Sequence, residues 1–410
     1  MTESVATAVD EAFRTEWGRV VATLIRVTGD WDLAEECAQE AFAKALATWP
    51  RDGVPRRPGA WLTTAARNRA LDKLRRGTAE ANRLRELAVT ASVDDAPPEP
   101  DDVPDDRLRL MFTCCHPALP LEAQVALTLR TLAGLTTPEI ARAFLVPEPA
   151  MAQRIVRAKR KIRNARIPYR VPPAELLPER TAGVLGVLYL LFNEGYSASA
   201  GADLVRQALT AEAIRLARVV LRLLPDAPEA GGLLALMLFH DARRATRTDD
   251  EGDLITLADQ DRTRWDRALI DEGVAVLDGA LALGRPGPYQ LQASIAACHA
   301  TASHAADTDW ARIARLYELV AKLNPSPVVE LNRAVAVAMA DGPSAGLTLV
   351  DALADGGQLA GYHLLPATRA DFLRRLGRAG EAAEAYRAAL ELAPTDAERR
   401  YLARRIGELQ

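Results

Sequence analysis

The stretch LTTPEIARAFLVPEPAMAQRIVRAKRKIR, Leu135 to Arg163, decides how this chain is read. Thr136-Thr137-Pro138-Glu139 has the form of a helix start, with proline in the first turn, where a missing N–H costs nothing. Ile140, Ala141 and Phe144 then give a short apolar face, and Leu145-Val146-Pro147 end it. A second helix is predicted from about Glu148-Pro149. Met151, Ile155, Val156 and Ala158 can face the first helix, while Gln153, Arg154, Arg157, Lys159 and Arg160 project away. Two short helices at this spacing, the second strongly basic, form a helix-turn-helix whose second helix suits a DNA major groove. Helical hairpins that never meet DNA are also common, so the residue chemistry carries the rest. From Met151 to Arg170 the chain holds Arg154, Arg157, Lys159, Arg160, Lys161, Arg163, Arg166 and Arg170 without one acid. That is the footprint of a phosphate-binding surface, and arginine and glutamine are the side chains suited to base edges.

Working outward, a second basic helix precedes it. WLTTAARNRALDKLRR, Trp61 to Arg76, can pack Leu62, Ala65, Ala66, Leu71 and Leu74 inward. Arg67, Asn68, Arg69, Asp72, Arg75 and Arg76 are left for a solvated face or a nucleic-acid partner. Before it, Asp30-Trp31-Asp32 stands ahead of Leu33, Ala34, Cys37, Ala41, Ala45 and Leu46, which share one helix face; Glu35, Glu36, Gln39 and Glu40 lie on another. A loop is expected from Pro50 to Gly59, with Trp61 opening the next helix.

Composition frames these motifs. The chain has 410 residues, 49% apolar and 26% charged, enough to bury a substantial core in two or three domains. Aromatic residues are only 5%, strand signals are scarce, and apolar positions recur at three- and four-residue spacing, so the expected fold class is all-α. Basic residues outnumber acidic ones up to Arg170, and the reverse holds beyond, within a net charge of -4. AVTASVDDAPPEPDDVPDD, Ala88 to Asp106, has neither periodicity nor enough apolar residues to fold and reads as a linker. IPYRVPPAELLPER, Ile167 to Arg180, breaks helices with four prolines. The expected organisation is a helical domain over 10–87, an acidic proline-rich linker over 88–104, the helix-turn-helix domain over 105–166, a proline-rich linker over 167–173, and a helical domain over 174–410.

No apolar run approaches the length of a membrane span, and the N-terminus lacks a secretory layout; a cytoplasmic protein without membrane partners is expected. Cys37, Cys114, Cys115 and Cys298 show no metal-type spacing, and Cys114-Cys115-His116 or Cys298-His299 with His304 offers no convergent ligand set. No P-loop, H-E-x-x-H or dinucleotide fingerprint occurs, so neither a cofactor nor an enzymatic reaction is expected. YLLFNEGYSAS, Tyr189 to Ser199, is read as a capped helix end packed in the core, with a ligand pocket as the alternative; His240-Asp241 beside Arg243 and Arg244 is read in the same way.

The order GDWDLAEECAQEAFAKALATWP, then WLTTAARNRALDKLRR, then an acidic linker, then the helix-turn-helix resembles the bacterial RNA polymerase sigma factors of the extracytoplasmic-function type, over about the first 165 residues. The resemblance implies a factor that binds core RNA polymerase and directs promoter-specific transcription initiation. It places Asp30, Asp32, Glu35, Glu36, Gln39, Glu40 and Phe42 at the polymerase contact. It places Trp61, Arg67, Asn68, Asp72, Arg75 and Arg76 at the -10 element, and Gln153, Arg154, Arg157, Lys159, Arg160 and Lys161 at the -35 element. Where the family usually shows a glycine in the turn and a threonine and a lysine on the exposed face of the recognition helix, this chain has Leu145, Ala150 and Ala152. The closing segment RADFLRRLGRAGEAAEAYRAALELAPTDAERRYLARRI resembles a tetratricopeptide unit, and sigma factors with such a C-terminal extension form a subgroup that this chain resembles. The extension is expected to regulate activity in cis or to bind a protein or ligand. Two other readings stay open at this level: a helix-turn-helix regulator with a helical interaction domain, and a helical-repeat adaptor or enzyme acting through 174–410.

Overall fold

The structure, a computed structural model, describes residues 2–85, 106–144, 146–196, 204–249, 253–393 and 396–409. Leu145 and the linker expected over 88–104 lie outside the described residues. The described residues are helical, with one isolated antiparallel bridge between Thr248 and Leu254. Residues 1–191 and 192–410 form two compact units.

The first unit starts with α1 (Thr2–Thr28), α2 (Trp31–Asp52) and α3 (Pro58–Arg85), each packed on the other two. α2 starts at Trp31 because Asp30 caps it: its Oδ1 accepts from the amides of Asp32 and Leu33 at 2.9 and 3.0 Å. Such a cap is worth about 1 kcal/mol. Ala34, Cys37, Ala38, Ala41, Phe42, Ala45 and Trp49 recur every three or four residues and make its buried stripe, where small side chains let α1 and α3 approach. The expected loop starts later than Pro50. That proline stands in the last turn, where its fixed φ is still helical and only Arg51 and Asp52 follow, so α2 runs on to Asp52. Trp61 lies in the first turn of α3, its amide donating to the Arg57 carbonyl at 3.2 Å, and its ring meets Trp49 edge-on at 5.6 Å.

Four helices follow: α4 (Asp106–Cys114), α5 (Leu121–Thr131), α6 (Thr137–Ala143) and α7 (Glu148–Asn164). α6 opens with a reciprocal cap, the Thr136 amide and hydroxyl donating to the Glu139 carboxylate at 2.7 and 2.6 Å. α5 and α6 pack on α7, which buries Met151, Ile155, Ala158 and Ile162. Val156, expected to face α6, is 63% exposed instead, because the buried stripe runs from 151 through 155 and 158 to 162 and position 156 falls beside it. Cys114 and Cys115 are buried under α5, their sulfurs 3.3 and 3.7 Å from the hydroxyls of Thr131 and Thr128. Burial pushes the Cys115 thiol up to about 12 and the Cys114 thiol higher still.

The two helical groups pack on each other inside this unit. α1 lies against α4 and α5; Tyr169 Oη is 2.8 Å from the Ala22 carbonyl, and Arg26 reaches Asp106 at 2.9 Å. The approach is closest at Gly18, where a Cβ would stand 2.7 Å from the Leu132 carbonyl oxygen. Gly134, at φ +76°, brings its backbone against Phe13 and Trp17.

α8 (Leu177–Tyr196) crosses the division between units, with Pro178 in its first turn. Its front half belongs with the first unit because Arg180 donates to the Phe112 carbonyl at 2.6 Å, so the division falls inside a helix and not in the proline-rich segment before it. The second unit contains α9 (Leu204–Leu223), α10 (Pro228–Ala242), α11 (Arg267–Ala282), α12 (Pro288–Ala300), α13 (Trp310–Leu323), α14 (Pro327–Asp341), α15 (Pro343–Asp355), α16 (Leu364–Arg375), α17 (Ala379–Leu392) and α18 (Asp396–Gly407). α10 is apolar all round and sits among α9, α11 and α12. From α12 onward each helix packs on the next, and Ala382 and Tyr386 of α17 are buried with Phe372 and Leu402.

Gly18→Ala should separate two effects. In α1 alone, alanine for glycine favours the helix by about 1 kcal/mol. In the packed unit the added methyl collides with a backbone carbonyl. Hydrogen exchange should therefore show faster exchange at the end of α5 with α1 still protected; unchanged protection of α5 would contradict the packing.

Candidate nucleic-acid interface

α7 presents Gln153, Arg157, Arg160, Lys161 and Arg163 to solvent. Arg154 lies half-buried, 3.3 Å from Glu122 of α5. Lys159 is turned inward: its side chain is 10% exposed, and Nζ stands 2.8 Å from both Asp32 Oδ1 and Glu35 Oε1 of α2. The other oxygen of Glu35 takes the Arg130 Nε at 2.9 Å, and Arg130 also donates to the Leu135 carbonyl at the foot of α6. Two of the expected polymerase contacts and one of the expected DNA contacts are thus bonded to each other. The shielded triad of Lys159, Glu35 and Arg130 pays desolvation that offsets most of its attraction, so it contributes more to fixing register than to net stability. Removing one member is a different matter, because the others then stay buried without their counter-charge.

The rest of the expected polymerase surface divides by exposure. Asp30 is used as the α2 cap, and Asp32 keeps 79% of its side chain exposed beside Lys159. Glu36 pairs with Lys73 at 2.8 Å, and Glu40 takes both Arg69 and Lys73 of α3. Those hydrogen bonds, Arg69 first, hold the Glu40 carboxyl below its ordinary range. Gln39 is exposed. Phe42 is a correction: at 5% exposure it sits between Phe13 and Trp17, with ring centroids 5.1 and 6.0 Å away, because it continues the buried stripe of α2. Glu35, at 6% exposure, is likewise covered, by the α5 and α7 cations.

On α3, Arg67, Asn68, Asp72, Arg75 and Arg76 are exposed, while Trp61 is half-buried against Trp49. α3 thus keeps a polar, mainly basic face open even though Arg69 and Lys73 are engaged with α2. A cleft of about 510 Å³ lies between the α1–α2 turn and the end of α7, with Asp30, Trp31, Lys159, Arg163 and Arg166 around it. Arg130, Glu122 and Tyr169 hold this arrangement, and no local pattern marks them; their partners lie 95, 32 and 147 residues away in the chain. Among the described residues no group of three or more His, Cys, Asp or Glu could hold a metal ion, and no helix is long and apolar enough to cross a membrane.

Known proteins match the chain in the same order as these helices. The model of sigma-70 region 2 matches residues 13–80, and that of sigma-70 region 4 matches residues 109–162. A protein of Mycobacterium tuberculosis described as a probable ECF RNA polymerase sigma factor, SigI, is 28% identical over 171 residues, 41% of this chain and 58% of its own. The chain belongs to the sigma factors of the extracytoplasmic-function type. Beyond region 4 this sigma factor carries a C-terminal extension, of which residues 180–281 match a family of unknown function, DUF6596. An uncharacterized protein of Rhizobium meliloti is 45% identical over 407 residues, covering 98% of this sigma factor and 96% of its own length, so the extension is shared with it.

The Lys159–Glu35 pair is open to a double-mutant cycle. Lys159→Met should lower the unfolding free energy of the N-terminal unit by about 1.5–3 kcal/mol, as expected for a lost hydrogen bond to the charged Asp32 and a lost counter-charge for Glu35. Combined with Glu35→Gln, the effects should depart from additivity by about 0.5–3 kcal/mol in urea titrations. Additive effects would place the two groups out of contact.

Proposed function

We propose that this sigma factor docks on core RNA polymerase through the exposed part of the α2 acidic face, Glu36, Gln39 and Asp32. It holds the -10 element with α3 through Arg67, Asn68, Asp72, Arg75 and Arg76, with Trp61 at the edge of that surface. It holds the -35 element with α7 through Gln153, Arg154, Arg157, Arg160 and Lys161. The observation that carries this reading is the pairing of two exposed basic helix faces with an acidic one in a single chain, in region 2 to region 4 order. It performs no chemistry; it positions the polymerase.

The proposal includes an opening step. Elements centred about 25 base pairs apart are separated by roughly 85 Å of B-form DNA. α3 packs on α2, and Lys159 of α7 lies 2.8 Å from Asp32 of α2, so α3 and α7 cannot meet both elements while the two regions stay packed. The chain between α3 and α4, about 20 residues, can span at most about 70 Å when extended, which with the width of the two regions suffices. Lys159 joins the DNA-facing set, and Asp32 and Glu35 join the polymerase-facing set, only after they part. The C-terminal extension is proposed to regulate this factor in cis or to bind a protein or ligand, supported by its separate helical cores.

Run-off transcription with purified bacterial core polymerase and a template library from the source genome tests the proposal. Transcripts from defined start sites should require this protein. Arg157→Ala, at a base-reading position, should cut them by about 5- to 150-fold, the cost of one base contact of 1–3 kcal/mol, without weakening core binding. Glu36→Gln with Gln39→Ala should weaken core binding itself. Absence of any binding to core would overturn the reading.

A further inference from the structure

Within the second unit, the end of α10, the turn that follows it and the end of α12 converge on a small cavity of about 30 Å³. Phe239, Trp265 and Leu257 wall it, and Arg243, His240 and His299 supply its polar groups. Three guanidinium groups lie in this neighbourhood, and no described carboxylate forms an ion pair with any of them. Two are otherwise accounted for. Arg262 is 6% exposed and donates to the carbonyls of His299 and Ala302 at 2.6 and 2.9 Å, the negative end of α12. Arg247 donates to the Tyr196 carbonyl at 2.7 Å and lies 3.9 Å over that residue's ring.

Arg243 is the one left over. Its hydrogen bond goes to His240 Nδ1 at 3.1 Å, a neutral acceptor, and an arginine cannot shed its proton. The accepting role puts the His240 proton on Nε2. Across the cavity, His299 Nδ1 is buried and has no hydrogen-bond partner. Burial comes first, and the neighbouring arginines second, in pushing His240 down to about 3 and His299 to about 4, so both rings are neutral at pH 7 and one fixed positive charge faces the cavity. The acids close by are committed: Asp241 to Arg244, Asp266 to the Leu269 amide at the start of α11, and Asp307, which also attracts Arg262, to the His304 amide.

We infer that this cavity is an anion site, in which the Arg243 guanidinium and the His299 Nδ1–H hold one small monoanionic group, either a halide-sized ion or the carboxylate of a larger ligand. The small volume suits one compact group. Phe239, Trp265 and Leu257 lower the local polarity, which strengthens the pairing of Arg243 with its counter-ion. The site uses none of the residues assigned to polymerase or DNA and gives the extension a chemical input.

The test is thermal unfolding of the full chain titrated with chloride, formate, acetate and phosphate, each at ionic strength held constant with a bulky sulfonate. Ligand that binds only the folded state raises Tm in a saturable way. Saturable stabilisation by chloride alone assigns an inorganic ion; stabilisation by formate and acetate assigns a ligand carboxylate. Arg243→Gln and His299→Asn should abolish the response, Arg243→Lys should weaken it, and the exposed Arg315→Gln should leave it intact. No saturable response of the wild type to either monoanion class, a response to phosphate only, or an undiminished response in Arg243→Gln would overturn the assignment. The wild-type arm decides even if a variant fails to fold.

Discussion

The Glu35 carboxylate, gripped from two sides by Lys159 and Arg130, is the contact on which the N-terminal unit turns. A carboxylate removed from water needs counter-charge: Arg130 of α5 hydrogen-bonds one oxygen and the Lys159 ammonium of α7 stands 2.8 Å from the other, while the acid belongs to α2. The same contact therefore orients the recognition helix, covers part of the acidic face and joins region 2 to region 4. Around it the packing is permissive only in one geometry: Gly18 admits the Leu132 carbonyl, and Gly134 lies against Phe13 and Trp17. Apolar burial supplies the attraction, and the triad supplies the register.

Under the proposed function the packed unit is incompatible with a promoter complex, and the opening step has a definite chemistry. In the proposed complex, polymerase supplies replacement partners for Asp32 and Glu35, and DNA phosphates supply one for Lys159. The exchange swaps one set of charge pairs for another, so the intrinsic cost of opening resides chiefly in the apolar contact of α1 with α4 and α5. On that proposal the factor is poised: each ligand favours only the separated state, and each helps the other by removing the shared contact.

What could be read from the residues was local. The α6 start at Thr136 to Glu139, the Asp30 cap, the buried positions 151, 155 and 158 and the open faces of α3 and α7 all follow from caps and a 3.6-residue period. Val156 was misplaced because a short apolar pair, Ile155-Val156, does not say which member lies on the stripe. Phe42 was assigned to a partner surface by resemblance, although its position four residues after Ala38 already put it on the buried face. The pairs that fix the unit, Lys159 with Asp32 and Arg130 with Glu35, are 127 and 95 residues apart, and no periodicity reaches across such distances. For the extension, composition and spacing showed helices, but the meeting of Arg243 with His299 depends on how α10 and α12 cross, which no short motif records.

The most direct measurement is the distance between spin labels placed at Thr64→Cys on α3 and Asn164→Cys at the end of α7, both exposed positions, in the free factor and after binding to core polymerase. The native cysteines are buried and leave the labels selective. The account predicts one short, narrow distance in the free chain and a lengthening by tens of ångströms on core binding, reproduced in part by Lys159→Met alone. A distance that does not change when polymerase binds would contradict it.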